Sequence, residues 1–270
     1  MLLTEGYIFL GGTEFLKSHS STVCSILNRV VGQVRPRGAS YAMLVFEALL
    51  RKFPAEGGHL LMHGGIVKTL LVECAKNYHK CQDFEEDQIV IYYLTSLARM
   101  LIAMPSLFDS FFPVIISGTN LFGPQDLIEL YFQKFDHVNQ LLWKKIWSTL
   151  LLTLMPPTGG IYSQQILKGM DQIVNICVDY IHDETFRGSD SLIAHNIDDQ
   201  ADVASEIGRE SYEAALIKEL RCDRICISDI KAVVKLKMEA CATALGREAY
   251  EECVSSVEPV LLKQLQDLVV

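Results

Sequence analysis

Apolar side chains recur at steps of three and four residues along most of this 270-residue chain. This spacing gives an α-helix one apolar face. The pattern is clearest from Ala39 to Phe53, and Pro54 follows directly. Because proline cannot continue a helix interior, the sequence predicts a helix that ends at Phe53 and a turn at Gly57-Gly58. The apolar positions of this helix are Ala42, Val45, Phe46, Leu49, Leu50 and Phe53.

The same pattern predicts further helices that proline or glycine joints separate. They are Met1–Phe15, His59–Asn77, Asp83–Ala103, Leu107–Ile116, Gln140–Met155 and Tyr162–His182, and helical spacing returns from Ile227 to the C-terminus. No segment alternates apolar and polar residues in the way that predicts a strand. Antiparallel helix pairs in units of about 40 residues are typical of HEAT and armadillo repeats. The predicted fold class is therefore all-α, a HEAT/armadillo-like helical-repeat solenoid (an α-α superhelix) of roughly six helix pairs.

The helical pattern is interrupted between Asp183 and Glu210, where the chain is acidic and has few large apolar residues in any helical register. This composition predicts an exposed and flexible loop. Three parts are therefore expected. They are HEAT-type repeats over residues 1–182, the acidic loop over 183–210, and C-terminal capping helices over 211–270.

The hydrophobic content raises the question of a membrane span, because 50% of the residues are hydrophobic and the mean hydropathy is +0.22. The most apolar stretch, Leu97–Gly118, is interrupted by Arg99, Pro105, Asp109 and Pro113. It therefore lacks the run of about 20 apolar residues that a spanning helix needs. The N-terminus has no signal-peptide pattern. We assign the hydropathy to helices packed against helices, and we expect no membrane partner.

The formal net charge of −9 argues against a nucleic-acid partner and is compatible with a basic protein partner. The cysteines lie in apolar helical contexts, which predicts core thiols in a reducing compartment and no disulfide framework. Two of them, Cys222 and Cys226, are spaced like ligands on one helical face. No second pair accompanies them, so we predict no zinc site. The full set is Cys24, Cys74, Cys81, Cys177, Cys222, Cys226, Cys241 and Cys253.

Two short motifs resemble parts of metal sites. Asp198-Asp199-Gln200-Ala201-Asp202 matches the DDxxD pattern with which prenyl-diphosphate enzymes hold magnesium, but no second Asp-rich motif accompanies it. His59 and His63 stand four residues apart as in metalloprotease helices, but the glutamate of H-E-x-x-H is missing. We therefore predict no metal, no cofactor and no catalytic residue, and no enzyme activity. An all-α magnesium-dependent prenyl-transfer enzyme is a remote alternative.

Two tryptophans, Trp143 and Trp147, lie four residues apart beside Lys144 and Lys145. Aromatic side chains at this spacing can anchor a bound peptide. They can also pack between helices, and this second interpretation is the favoured one.

Several segments agree in order and spacing with one family. They are Pro105–Phe112, Leu141–Trp147 with Leu150 and Leu151, Met170–Asp179, Ala244–Gly246 and Leu262–Leu268. Together they resemble the C-terminal end of nuclear transport receptors of the importin-β (karyopherin) family, in particular its importin eleven branch. The first hundred residues match the preceding repeats of that family only in style.

The resemblance implies the C-terminal cargo- and nucleoporin-binding part of an importin-β-like receptor for protein import into the nucleus. It implies protein cargo and nucleoporins as partners, and shuttling between cytoplasm and nucleus. Ran contacts in this family come from N-terminal repeats that have no counterpart in this chain. The resemblance assigns no individual partner-binding residue. A HEAT scaffold subunit of a complex unrelated to transport is the alternative.

Overall fold

The computed structural model describes residues 2–31, 33, 35–78, 84–105, 122–156, 163–188 and 209–269. Within these ranges the regular elements are all helices, so the prediction of an all-α fold is confirmed. Contacts divide the chain into two compact units. The first contains the described residues up to Gly123 and those from Arg209 to Glu219, and the second contains the described residues from Pro124 to Gly188 and from Leu220 onward. No helix in the described ranges has the length and apolarity needed to cross a membrane.

The first unit is built around α2, which packs against three other helices of the unit, α1, α3 and α5. Its helices are α1 (Leu2–Val30), α2 (Pro36–Lys52), α3 (Pro54–His63), α4 (Ile66–Tyr78) and α5 (Phe84–Ala103). The buried face of α2 includes Val45, Phe46 and Leu49, as the spacing predicts. The helix begins at Pro36, three residues before the predicted start, because proline is well suited to the first turn of a helix.

The predicted turn at Gly57-Gly58 is wrong, because both glycines are buried inside α3. A Cβ atom at Gly57 would lie 2.8 Å from the carbonyl oxygen of Leu49, so the missing side chain lets α3 approach α2 closely. The turn lies at Gly64-Gly65, where Gly65 has a φ of +76°. The predicted helix His59–Asn77 is therefore two helices, α3 and α4.

The first helix extends well beyond its predicted end at Phe15. It continues to Val30 and contains a break at Gly12, where φ is 56° and ψ is −146°. Val23 and Leu27 are buried in its second half, and Val31, directly after its end, continues the four-residue steps. The polar run just after Phe15 conceals this stripe in the sequence.

Helix α7 is the most completely buried helix among the described residues of the second unit. Its helices are α6 (Pro124–Lys134), α7 (Leu141–Thr153), α8 (Ser163–Lys168) and α9 (Met170–Arg187), then α11 (Arg224–Ile227), α12 (Ile230–Leu245), α13 (Arg247–Ser255) and α14 (Pro259–Val269). A 3-10 turn, Phe135–His137, follows α6. Helix α10 (Arg209–Cys222) begins in the first unit and ends in the second. Helix α9 packs against α7 and also against the last helix, α14.

The predicted helix Tyr162–His182 is interrupted at Gly169, which separates α8 from α9. A Cβ atom at this position would lie 2.4 Å from Cε2 of Phe132, so the glycine allows the chain to pass close to α6. The predicted helix Gln140–Met155 agrees with α7 to within two residues at each end.

The predicted acidic loop 183–210 differs from the structure at both ends. Helix α9 continues to Arg187, and α10 begins at Arg209. Residues 189–208 lie outside the described residues, as does the predicted helix Leu107–Ile116. The division into 1–182, 183–210 and 211–270 remains a prediction.

Candidate functional site: grooves between neighbouring helices

One candidate binding surface lies in the first unit, in a groove of about 560 Å³ between α1 and α3, here named the N-terminal groove. Its lining residues are Thr13, Leu16, Lys17 and Ser20 from α1, and Glu56, His59, Leu60 and His63 from α3. In each helix these residues are spaced three, one and three positions apart, so each set forms a single face. The half-buried side chains of Leu16 and Leu60 supply an apolar surface, and the charged residues are exposed. A groove of this kind can receive apolar side chains of a bound peptide.

The histidine pair of the N-terminal groove is a helix-surface pair. The rings of His59 and His63 stack with 6.2 Å between centroids and 11° between ring planes, and both side chains are exposed. Over the described ranges, no group of three or more His, Cys, Asp or Glu side chains could hold a metal ion. The DDxxD motif at Asp198 to Asp202 lies outside those ranges.

A second candidate surface lies in the second unit, in a groove of about 500 Å³ bounded by α12, α13 and α14, here named the C-terminal groove. Its apolar lining residues are Val234, Met238, Ala242, Tyr250, Val254, Leu262, Leu265 and Val269, and its polar ones are Lys235, Glu239 and Gln266. Burial raises the pKa of the Tyr250 hydroxyl, and the nearby thiols of Cys241 and Cys253 add to the effect. The hydroxyl therefore remains a neutral hydrogen-bond donor at physiological pH.

The two tryptophans differ in their surroundings. Trp147 is fully buried, and its ring meets Tyr131 edge-on and lies tilted against Phe135. The interpretation as inter-helix packing is therefore confirmed for Trp147. Trp143 is only half-buried.

The prediction that Cys222 and Cys226 share one helical face is wrong. Cys222 ends α10, Cys226 belongs to α11, and Asp223 between them caps α11 by accepting a hydrogen bond from the Ile225 N–H at 3.0 Å. The first N–H groups of a helix have no acceptor within the helix, and an Asp carboxylate can accept from them. Asp is therefore a favourable residue at the start of a helix. All the cysteines in the described ranges are free thiols, and Cys81 lies outside them.

The sequence alone does not reveal either groove. Leu16, Lys17 and Ser20 lie beyond the predicted end of the first helix, and Leu60 comes from another helix. The available signal was the spacing of Thr13, Leu16 and Lys17, which continues the helical face past Phe15.

Comparisons with known proteins identify the family. A family model described as Importin-11-like, TPR repeats, matches residues 1–270. Importin-11 of Mus musculus is 22% identical over 276 residues, which cover 98% of this chain and 27% of that protein. Importin-11 of Homo sapiens is 21% identical over 280 residues, with the same 98% and 27% coverage. No solved structure matches.

The chain thus spans 27% of the length of these curated relatives. The matching family describes its helical repeats as TPR, whereas the sequence pattern suggests HEAT. Both types are built from antiparallel helix pairs, so the predicted helical-repeat class is confirmed. The match covers the whole chain, and the protein belongs to the Importin-11-like family of helical-repeat proteins.

Proposed function

We propose that this chain is a cargo- and nucleoporin-binding part of an importin-β-like nuclear transport receptor. The observation that carries the proposal is the match of the Importin-11-like family to residues 1–270. In this role the chain acts by binding proteins rather than by catalysis, and it moves between cytoplasm and nucleus with its cargo.

The two grooves support this proposal on physical grounds. Each is open to solvent and has apolar side chains between neighbouring helices, which suits the insertion of one or two large side chains from an extended peptide. Phe-Gly repeats of nucleoporins supply such side chains. The net charge of −9 favours cargo with basic segments, since opposite charge accelerates encounter and adds affinity.

Binding to nucleoporins is tested with a Phe-Gly repeat peptide and two variants of α12. Met238 lines the C-terminal groove, whereas Leu236 on the same helix is 63% exposed and is not among the lining residues. We expect Met238→Glu to weaken peptide binding about tenfold or more, because it places a charge in an apolar contact. Leu236→Glu should leave binding unchanged. Equal loss in both variants, or peptide binding that neither variant affects, would exclude the C-terminal groove as the peptide site.

Binding to basic cargo is tested by measuring the affinity for a lysine-rich peptide at low and high salt. Attraction between exposed charges acts over a Debye length of about 10 Å at 0.1 M salt and shortens as salt rises. We therefore expect the affinity to fall steeply between about 0.05 M and about 0.5 M salt. A glutamate-rich peptide of equal length is the control and should not bind. Binding that salt does not change, or no binding at either concentration, would contradict a basic cargo.

The proposal also predicts that this chain does not bind Ran·GTP tightly by itself, because the resemblance is to the C-terminal part of the receptor family. A pull-down with Ran·GTP and with Ran·GDP measures this. Tight nucleotide-dependent binding would show that the chain carries a Ran site.

A further inference from the structure

Two consecutive lysines of α7 form ion pairs with carboxylates on α9. The Nζ atom of Lys144 lies 2.6 Å from Oδ2 of Asp179 and 2.7 Å from Oδ2 of Asp183. The Nζ atom of Lys145 lies 3.8 Å from Oε1 of Glu184. Side chains four residues apart share a helix face, so Asp179 and Asp183 lie on one stripe of α9 and Glu184 lies on the next. Each lysine therefore contacts a different stripe.

Lys145 has a second contact, outside this helix pair. Its Nζ atom donates a hydrogen bond to the carbonyl oxygen of Cys226 at 2.8 Å. Cys226 belongs to the connector, defined here as Asp223–Asp229, which joins α10 to α12 and contains α11. One buried ammonium group therefore contacts α9 and the connector together.

Lys145 is shielded from solvent and lies beside acceptors that are themselves held in place. Its side chain is 2% exposed, and burial lowers its pKa against the opposing effect of Glu184. Glu184 is in turn fixed by the Tyr180 hydroxyl, which donates to its Oε1 at 2.6 Å. A buried ammonium is tolerated only where acceptors surround it, so alternative positions of the connector would leave this charge without its carbonyl acceptor.

The connector contributes little apolar packing of its own, so its polar contacts, including this one, matter for its position. Ile225 is buried, but Ile227 is 65% exposed. A buried ion pair adds little net stability compared with an apolar side chain of similar size. Its physical effect is on which arrangement forms, since the present arrangement gives the charge both the Glu184 carboxylate and the Cys226 carbonyl as partners.

We propose that Lys145 is a positioning residue that couples the connector to the α7–α9 helix pair. Loss of its contacts opens the connector locally while α7 and α9 remain folded. Lys144 has a separate task, because both of its carboxylate partners lie on α9.

Hydrogen exchange measured by mass spectrometry on the full chain tests the proposal. Loss of one charge-assisted hydrogen bond corresponds to about tenfold or more in local opening. We expect Lys145→Met to raise the exchange rate of connector amides by that factor and to leave α9 amides near their wild-type rates. Lys144→Met, the matched control, should leave the connector unchanged and raise exchange only at the C-terminal end of α9.

Two further variants separate positioning from general destabilisation. Leu150→Ala removes a fully buried apolar side chain of α7, so it lowers global stability without removing the contacts of Lys145. Glu184→Gln keeps an acceptor for the Tyr180 hydroxyl but removes the charge opposite Lys145, and it should raise connector exchange by a smaller factor. Connector exchange at wild-type rates in Lys145→Met, or a uniform rise like that of Leu150→Ala, would overturn the proposal. If Lys145→Met does not fold, unchanged connector exchange in Glu184→Gln overturns it.

Discussion

The ring of Tyr131 on α6 meets the ring of Trp147 on α7 edge-on, with 5.0 Å between the ring centroids and 88° between the ring planes. Phe135, in the turn that follows α6, lies tilted against the same indole with 6.4 Å between centroids. Edge-to-face pairs add to the stabilisation that burial gives. This aromatic cluster fixes the first helix of the second unit to its most buried helix.

Replacing Trp147 by alanine should lower the free energy of unfolding by roughly 3–5 kcal/mol, because it leaves a large cavity under Tyr131. Trp143→Ala is the control on the same helix and should cost clearly less, since that side chain is half-buried. Urea denaturation followed by circular dichroism measures both. Equal losses would mean that the two indoles contribute similarly to packing.

The two tryptophans also show where sequence pattern reaches its limit. Periodicity places both residues on a predicted helix, and the boundaries of α7 agree with the prediction. It cannot rank their burial, because that depends on where α6 lies. The same holds for the N-terminal groove, whose two walls, α1 and α3, are separated along the chain by α2.

Glycines illustrate a second limit. Gly57 and Gly65 both belong to Gly-Gly pairs, and sequence reasoning assigns the turn to the wrong pair. Gly65 needs its freedom for a φ of +76°, whereas Gly57 lacks a side chain so that α3 can approach Leu49 of α2. The proline that begins each of α2, α3, α6 and α14 is a clearer signal, since its geometry suits the first turn whatever packs against it.

Gly57→Ala should destabilise the protein although alanine is the better helix former. Helix propensity favours the substitution by about 1 kcal/mol. The new Cβ atom would lie 2.8 Å from the Leu49 carbonyl oxygen, a backbone atom that cannot move without shifting α2. Overpacking of this kind costs about 1–3 kcal/mol, so the net effect should be a loss.

The control for Gly57→Ala is Gly58→Ala, whose Cβ would meet the terminal methyl group of Met104, at the flexible end of a side chain. We expect a smaller loss there, and the double variant with Met104→Ala should be relieved of the clash. Thermal denaturation measures all three. A gain in stability for Gly57→Ala would show that α3 can move away from α2.

Thiol labelling should follow burial. Cys222 is exposed, whereas Cys74 and Cys177 are buried. Burial raises the pKa of both buried thiols, to about 12 for Cys177, and the thiolate is the reactive form. N-ethylmaleimide should therefore modify Cys222 before Cys74 and Cys177, which should react only after unfolding. Peptide mass spectrometry resolves the order, and equal native rates at the three sites would contradict the packing of α4 and α9.

Cys177 also gives the protein a dependence on alkaline pH whose sign follows from its burial. Its pKa is raised from 9.0 to about 12 in the folded chain, so above about pH 9 the unfolded chain releases the thiol proton while the folded chain keeps it. The stabilisation that the protonated Cys177 thiol gives is therefore complete below about pH 9 and is lost as the pH rises toward about 12. Between about pH 8 and about pH 10 the loss should be roughly 1–2 kcal/mol. Other buried groups titrate in the same range, so the quantity to measure is the difference in unfolding free energy between wild type and Cys177→Ala. That difference should shrink from the lower to the higher pH.

The control is Val178→Ala, which removes a neighbouring buried side chain of α9 that carries no titrating proton, and its difference from wild type should stay constant. A difference for Cys177→Ala that does not change with pH would mean that this thiol titrates alike in the folded and unfolded chains.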